Sequence, residues 1–327
     1  MKNHTLDVVG IGNAIVDVIA SADDAFLEQH GMPKGAMTLI DEERAEAIYA
    51  AMGSTVITSG GSAGNTMAGI ASLGGRAGYL GLVRDDDLGH AYRHDITAVG
   101  VTFPTPAAKH GPATARCLIL VTPDSQRTMN TFLGASVNLG PEEIDEALVR
   151  SAAVTYLEGY LYDQERAKQA FHDAAAIAHA AGRKVSLSLS DPFCVNRHRD
   201  AFAQLVENHV DVLFANEIEI VTLFDAEDVH HAIRRLRGMT DIAAITCGAA
   251  GSLIVTAEEI VEIPAAPVDR VVDTTGAGDL YAAGFLYGLT QGASLDECGR
   301  IASIAAAEVI AHFGARPQAS LAELVAS

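Results

Sequence analysis

The sequence lacks paired cysteines. Its four, Cys117, Cys194, Cys247 and Cys298, stand far apart, and no two are spaced Cys-x-x-Cys. That argues against a structural zinc site and predicts buried free thiols in a reducing cytoplasm. Basic residues are scarce: 22 Lys and Arg stand against 42 Asp and Glu, a formal net charge of −20. No basic run offsets this, so nucleic acid and anionic membranes are not expected partners. No apolar run is long enough to span a bilayer. Met1 to Thr5 leads into a strand-like segment with no signal-peptide layout. Repeats, linkers and low-complexity tracts are missing too. A cytoplasmic protein that handles small molecules, as a monomer or homodimer, is the expectation.

What is present suits a large globular fold. The 327 residues are 49% hydrophobic and 20% charged, enough to bury a sizeable core. Strand-like and helix-like segments alternate. Strands are predicted over residues 6–11, 14–20, 77–83, 154–161, 185–189, 210–215 and 242–246, and helices over 42–52, 65–73, 141–151 and 164–181. This rhythm predicts an α/β fold with a mainly parallel, Rossmann-like sheet and helices on both faces. Segments 115–122 and 127–133 flank Pro123-Asp124-Ser125-Gln126 and predict a β-hairpin that departs from the rhythm.

The most informative stretch is Asp273-Thr274-Thr275-Gly276-Ala277-Gly278-Asp279, directly before the apolar segment 280–289. A turn of small residues opening onto a helix presents free backbone N–H groups, which bind anions. Asp279 falls in the first helical turn, where the dipole favours its ionised form. An anion cradle beside a carboxylate base is what phosphoryl transfer to a hydroxyl requires. An ordinary glycine-punctuated helix cap gives the same local pattern.

Other segments add to this. Gly10-Ile11-Gly12 begins like a dinucleotide fingerprint, but Ile15 occupies the third glycine position, which argues against a dehydrogenase. Asn13 and Asp17 instead stand out inside apolar sequence, where a carboxylate is costly unless partnered. They read either as a partly exposed strand turn or as groups for ligand hydroxyls. Gly60 and Gly61 precede a second small-residue helix, with Asn65 in its first turn. Asn216-Glu217-Ile218-Glu219 follows a strand, where open α/β sheets place ligands. It reads as a capping box or as a place for Glu219 to order a water on Mg²⁺. Thr246, Gly248 and Gly251 also follow a strand, as a phosphate-binding turn or a plain β-turn.

Together these segments resemble the ribokinase-like, or phosphofructokinase-B, family of carbohydrate and nucleoside kinases. The resemblance covers nearly the whole chain. Its two signature regions stand here at Gly60 to Gly89 and Asp273 to Gly288. It implies one kinase domain over 1–327, with a small discontinuous β lid from parts of about 14–41 and 113–134. It further implies Asp279 as general base, with Gly276, Ala277 and Gly278 as the anion hole. Asn216, Thr246, Gly248, Gly251, Thr275 and Gly278 would contact ATP. Glu219 would act on Mg²⁺, through water. A monovalent cation such as K⁺ sits beside the anion hole in many members, and Asp273 and Thr275 would contribute to it here.

Within the family the chain is most similar to the adenosine kinase branch. Asn13 and Asp17 are spaced as in that branch, and Ser62 follows the double glycine where ribokinases tend to have Lys. The acceptor would be the 5′-hydroxyl of adenosine or a related nucleoside, bound by Asn13, Asp17, Gly60, Gly61, Asn65 and Tyr160. A sugar kinase acting on a free pentose or hexose is the alternative, and a nucleoside-binding regulator without catalysis is a third. Two departures stand out. Where the branch has two aromatics after Gly159, this chain has Tyr160 and Leu161, and Asp191 replaces a small residue before Pro192-Phe193.

Overall fold

A computed structural model of the protein describes residues 5–124 and 126–326. Residues 1–4, where the N-terminal reading began, and Ser125, in the expected hairpin turn, lie outside the described residues. The strands are β1 (Leu6–Ile11), β2 (Ile15–Ser21), β3 (Met37–Leu39), β4 (Val56–Ser59), β5 (Ala77–Leu80), β6 (Ala115–Val121), β7 (Arg127–Phe132), β8 (Ala152–Glu158), β9 (Lys184–Ser188), β10 (Val212–Asn216), β11 (Ile242–Thr246), β12 (Ser252–Val255) and β13 (Ile260–Ile263).

Two sheets result. The larger has the order β13-β12-β11-β10-β9-β8-β1-β5. From β11 to β5 every pairing is parallel, and β12 and β13 are antiparallel additions at one edge. The parallel strands are apolar on both faces because helices cover both. One face packs Met67, Ile70, Leu280 and Phe285 from helices Ser62–Ser72 and Ala277–Thr290. The other packs Phe171, Phe202, Leu205 and Ile220. Full burial of such a side chain contributes ~1.5–3 kcal/mol.

The smaller sheet has the order β3-β7-β6-β2-β4. Strands β6 and β7 pair antiparallel, as the hairpin pattern predicts. Strand β4 also joins it, pairing antiparallel with β2 at the outer edge. In β2 the alternation is strict: Val16, Val18 and Ala20 are buried, while Ile15, Asp17 and Ile19 are only partly so. Two-residue periodicity therefore turns Asp17 away from the core, toward the space between the sheets.

Some boundaries differ from expectation. The helix expected over 141–151 is broken. A single turn, Pro141–Glu143, is followed by helix Glu146–Ser151, because Asp145 accepts from Leu148 N and caps a new start. The helix expected at 65 begins at Ser62, with Gly61 as its N-cap.

Candidate active site

Two glycine turns meet beside the C-terminal ends of the parallel strands, where open α/β sheets bind ligands. The first is Gly60–Gly61. Gly61 has φ 81°, and a Cβ there would lie 2.1 Å from the Asn13 carbonyl oxygen, so only glycine fits. Gly60 leaves room for a carboxylate, since a Cβ there would lie 2.4 Å from Asp17 Oδ2. The second is Gly276, also at φ 81°, which caps helix Ala277–Thr290. Between the turns lies a cleft of about 700 Å³, walled by both sheets.

Asp279 joins the two turns. Its Oδ1 accepts from Ser62 Oγ at 2.6 Å and its Oδ2 from Asn65 Nδ2 at 2.9 Å, both on helix Ser62–Ser72. Burial pushes its carboxyl above the ordinary range, and these two hydrogen bonds and the charge of Arg316 pull it back. The Asn65 Oδ1 is buried with no partner among the described residues. It needs a donor, and a ligand hydroxyl is one.

Asp17 faces the same space. Burial pushes it up to about 6, opposed by Arg127 and Arg316 and reinforced by Asp279. Asn13 is more committed. Its Nδ2 donates to Glu158 Oε1 at 2.8 Å and its Oδ1 accepts from Ser136 Oγ at 2.9 Å. One amide N–H remains for a ligand. Tyr160 lines the cleft and is 42% exposed. Leu161 does not: it is buried in the core, and the aromatics lining the cleft are Tyr160, Phe193, Phe214 and Tyr281.

The anion turn differs in detail from its expected form. Gly276 and Gly278 line the cleft, and their N–H groups have no partner among the described residues. The Ala277 N–H instead donates to the Thr274 carbonyl at 3.2 Å, and Ala277 does not line the cleft. A Cβ on Gly278 would meet nothing within 4 Å. Its backbone is helical, and the positive φ belongs to Gly276.

Asn216 and Glu219 form a reciprocal capping box at the end of β10. The Glu219 carboxyl also lines the cleft and is pushed up to about 7 by burial, with the charge of Asp191 adding to the rise and the Asn216 N–H opposing it. Thr246 and Thr275 line the cleft, whereas Gly248 and Gly251 do not. Gly251 answers a packing need, since a Cβ there would lie 2.0 Å from the Ile263 carbonyl. Asp191 caps helix Pro192–Arg197 through Phe193 N and Cys194 N, which accounts for an acidic residue before that proline.

No group of three His, Cys, Asp or Glu able to hold a metal occurs among the described residues. Mg²⁺ on a nucleotide needs no such cage, because it keeps several waters and takes one or two carboxylates. A buried carboxylate on the cleft wall, Glu219, fits that role. Asp273 does not fit a monovalent cation. Its Oδ1 accepts from Thr275 N and Oγ1, and its Oδ2 from Gly314 N and from the Arg127 guanidinium, which already supplies the positive charge.

Three site residues escaped the sequence reading. Glu158, at the end of β8, accepts from Asn13 N, Asn13 Nδ2 and Ala63 N, and burial pushes it up to about 7 against those bonds. Arg127 crosses from the small sheet to Asp273, with both side chains almost fully buried. Arg316 lies behind the first glycine turn. A signal existed in the strand pattern, since Glu158 closes an apolar run as Asn216 does.

Comparison with known proteins agrees with the fold and the family resemblance. A family model described as pfkB family carbohydrate kinase matches residues 36–321. The crystal structure of adenosine kinase from Sinorhizobium meliloti is 52% identical, with a TM-score of 0.90 over 97% of this chain and 98% of that one. Adenosine kinase from Saccharomyces cerevisiae is 26% identical over 89% of this chain and 91% of its own. An ATP-dependent ribose-1-phosphate kinase from Halopiger xanaduensis is 34% identical over 70% of this chain and 72% of its own. The chain belongs to the pfkB family of carbohydrate kinases.

Proposed function

We propose that this ATP-dependent kinase transfers the γ-phosphoryl group of ATP to the 5′-hydroxyl of adenosine. The observation that carries the reading is the Asp279 carboxylate, held by Ser62 and Asn65 between the anion turn and Asp17. Asp17 and the unpaired Asn65 Oδ1 receive ribose hydroxyls as acceptors. The 5′-hydroxyl then approaches Asp279, which takes its proton as the oxygen bonds to the γ-phosphorus. The bond from that phosphorus to the β,γ-bridging oxygen breaks, and ADP leaves. Gly276 and Gly278 N–H groups stabilise the charge that develops on the phosphoryl oxygens. Mg²⁺, when bound, neutralises phosphate charge, and Glu219 orders its waters. The small sheet acts as the lid that excludes water from the transfer.

A sugar kinase of this fold would use the same base and turn. The lining of the cleft argues for a nucleoside. It includes Leu39, Leu133, Tyr160 and Phe193, apolar surface that a base can cover and a free pentose leaves bare. Four unpaired thiols agree with a cytoplasmic location. The reading is tested by following ³¹P NMR during incubation with ATP, Mg²⁺ and adenosine. Adenosine 5′-monophosphate and ADP should accumulate in equal amounts. Release of inorganic phosphate alone, with adenosine unconsumed, would exclude it.

A further inference from the structure

Residues 314–316 touch each part of the site in turn. Gly314 N donates to Asp273 Oδ2 at 3.1 Å. Ala315 packs on the anion turn, where a Cβ built on Gly276 would lie 2.7 Å from its own Cβ. Arg316 reaches the other turn: its Nε donates to the Ser59 carbonyl at 3.0 Å and its Nη2 to Ser59 Oγ at 2.9 Å. Ser59 ends β4 directly before Gly60, and its N–H donates to Asp95 Oδ2 at 2.7 Å. Tyr92 Oη donates to the Gly60 carbonyl at 3.1 Å. The Arg316 Nη1 is buried and has no hydrogen-bond partner among the described residues.

A buried guanidinium is costly unless charge compensates it. Here the compensation comes from Asp95 behind the turn and from Asp17 and Asp279 in front of it. We propose that Arg316 is a positioning residue for phosphoryl transfer. One guanidinium fixes the glycine turn that seats the acceptor and supplies the positive charge shared by the two carboxylates that face it. The inference rests on the roles given above to Asp17 and Asp279. In a chain of net charge −20 such a local cation matters, because the anionic substrate brings more negative charge to the same place.

Other groups act on these carboxylates. Asp17 feels Arg127 on β7 and Asp279, and its charge adds to the burial that raises the Cys117 thiol on β6. Asp279 faces Glu158 at the end of β8, with Tyr156 and Tyr160 nearby. Arg127 acts on Asp17 more strongly than Arg316 does but not on Asp279, so Arg316 is, among the described residues, the cation that acts on both. Removing it raises both carboxyls, so both lose their charge at a higher pH.

The test is Arg316→Gln and Arg316→Lys, read in two ways. Carboxyl ¹³C NMR titration of the resting enzyme reports Asp17 and Asp279 without any acceptor, so it holds even if the acceptor has been misassigned. The acid limb of kcat/KM for adenosine reports the same groups at work. In Arg316→Gln both midpoints should move up by on the order of one pH unit. In Arg316→Lys they should stay near wild type, with turnover partly kept. Unmoved midpoints in Arg316→Gln would overturn the proposal, as would equal losses in both variants at every pH. Should Arg316→Gln fail to fold, Arg316→Lys decides: a retained midpoint supports the proposal and an upward shift contradicts it.

Discussion

At Asp279, burial opposes ionisation while Ser62 and Asn65 favour it. That balance suits a group that must be ionised at rest and take a proton during transfer. Asp279→Asn keeps the shape and loses the proton acceptor. It should lower kcat by ~10²–10⁴-fold with little change in acceptor affinity, checked by steady-state kinetics and calorimetry. A well-folded variant with near-wild-type kcat would exclude Asp279 as the base.

Asp17, pushed up to about 6, sets the expected pH dependence. In the proposed role its ionised form accepts ribose hydroxyls, so kcat/KM for adenosine should fall as pH drops through about 6. Stability of the ligand-free enzyme should run the other way. Asp17, Glu158 and Glu219 all have raised values in the folded state, so their contribution is fully present below about pH 4. It is lost as pH rises through about 6 to 7. Melting temperature should therefore rise between pH 7.5 and 5.5 while kcat/KM falls. Parallel declines would contradict these assignments. Asp279, Asp17 and Asn65 were legible because each is a polar residue at a glycine turn or inside an apolar run. Arg127 and Arg316 carried no such local mark, and only their distant partners, Asp273 and Ser59, reveal them, while the mark on Glu158 was only its place at the end of an apolar run.

Among the elements, the start of helix Ala277–Thr290 carries the most chemistry. The space in front of Gly278 is the cleft itself. Gly278→Val should fold with a melting temperature close to wild type and lose turnover by on the order of 10²-fold or more, as a branched side chain fills the phosphoryl position. An active Val variant would mean that the phosphate does not lie against this turn. Apolar runs made β1, β8, β10 and β11 readable, because parallel strands covered on both faces need such runs. Strand β4 had no such signal, since Val56 and Ile57 are exposed at a sheet edge. The break after Glu143 depends on Asp145 acting as a cap, a local competition that a helical pattern over 141–151 conceals. Leu161 stands where the related branch has a second aromatic, yet the single turn Gly159–Asp163 rotates it into the core and leaves Tyr160 at the cleft.

At the scale of the molecule, two sheets close on one cleft, and the parts proposed for catalysis come from both. The small sheet brings Asp17 and Arg127, and the main body brings Asp279 and the anion turn. The Arg127–Asp273 ion pair ties them across 146 residues of sequence. A surface of net charge −20 gives anionic substrates no general attraction, so specificity must come from this enclosed site. The cleft should accept a nucleoside rather than a free sugar. This is tested most directly by kcat/KM for adenosine, inosine, guanosine, ribose and fructose, measured with ATP and Mg²⁺ under one set of conditions. Adenosine should exceed ribose and fructose by at least ~10-fold, because the base can cover apolar and aromatic surface that the cleft otherwise exposes. Ribose or fructose turned over in preference to every nucleoside would contradict the account.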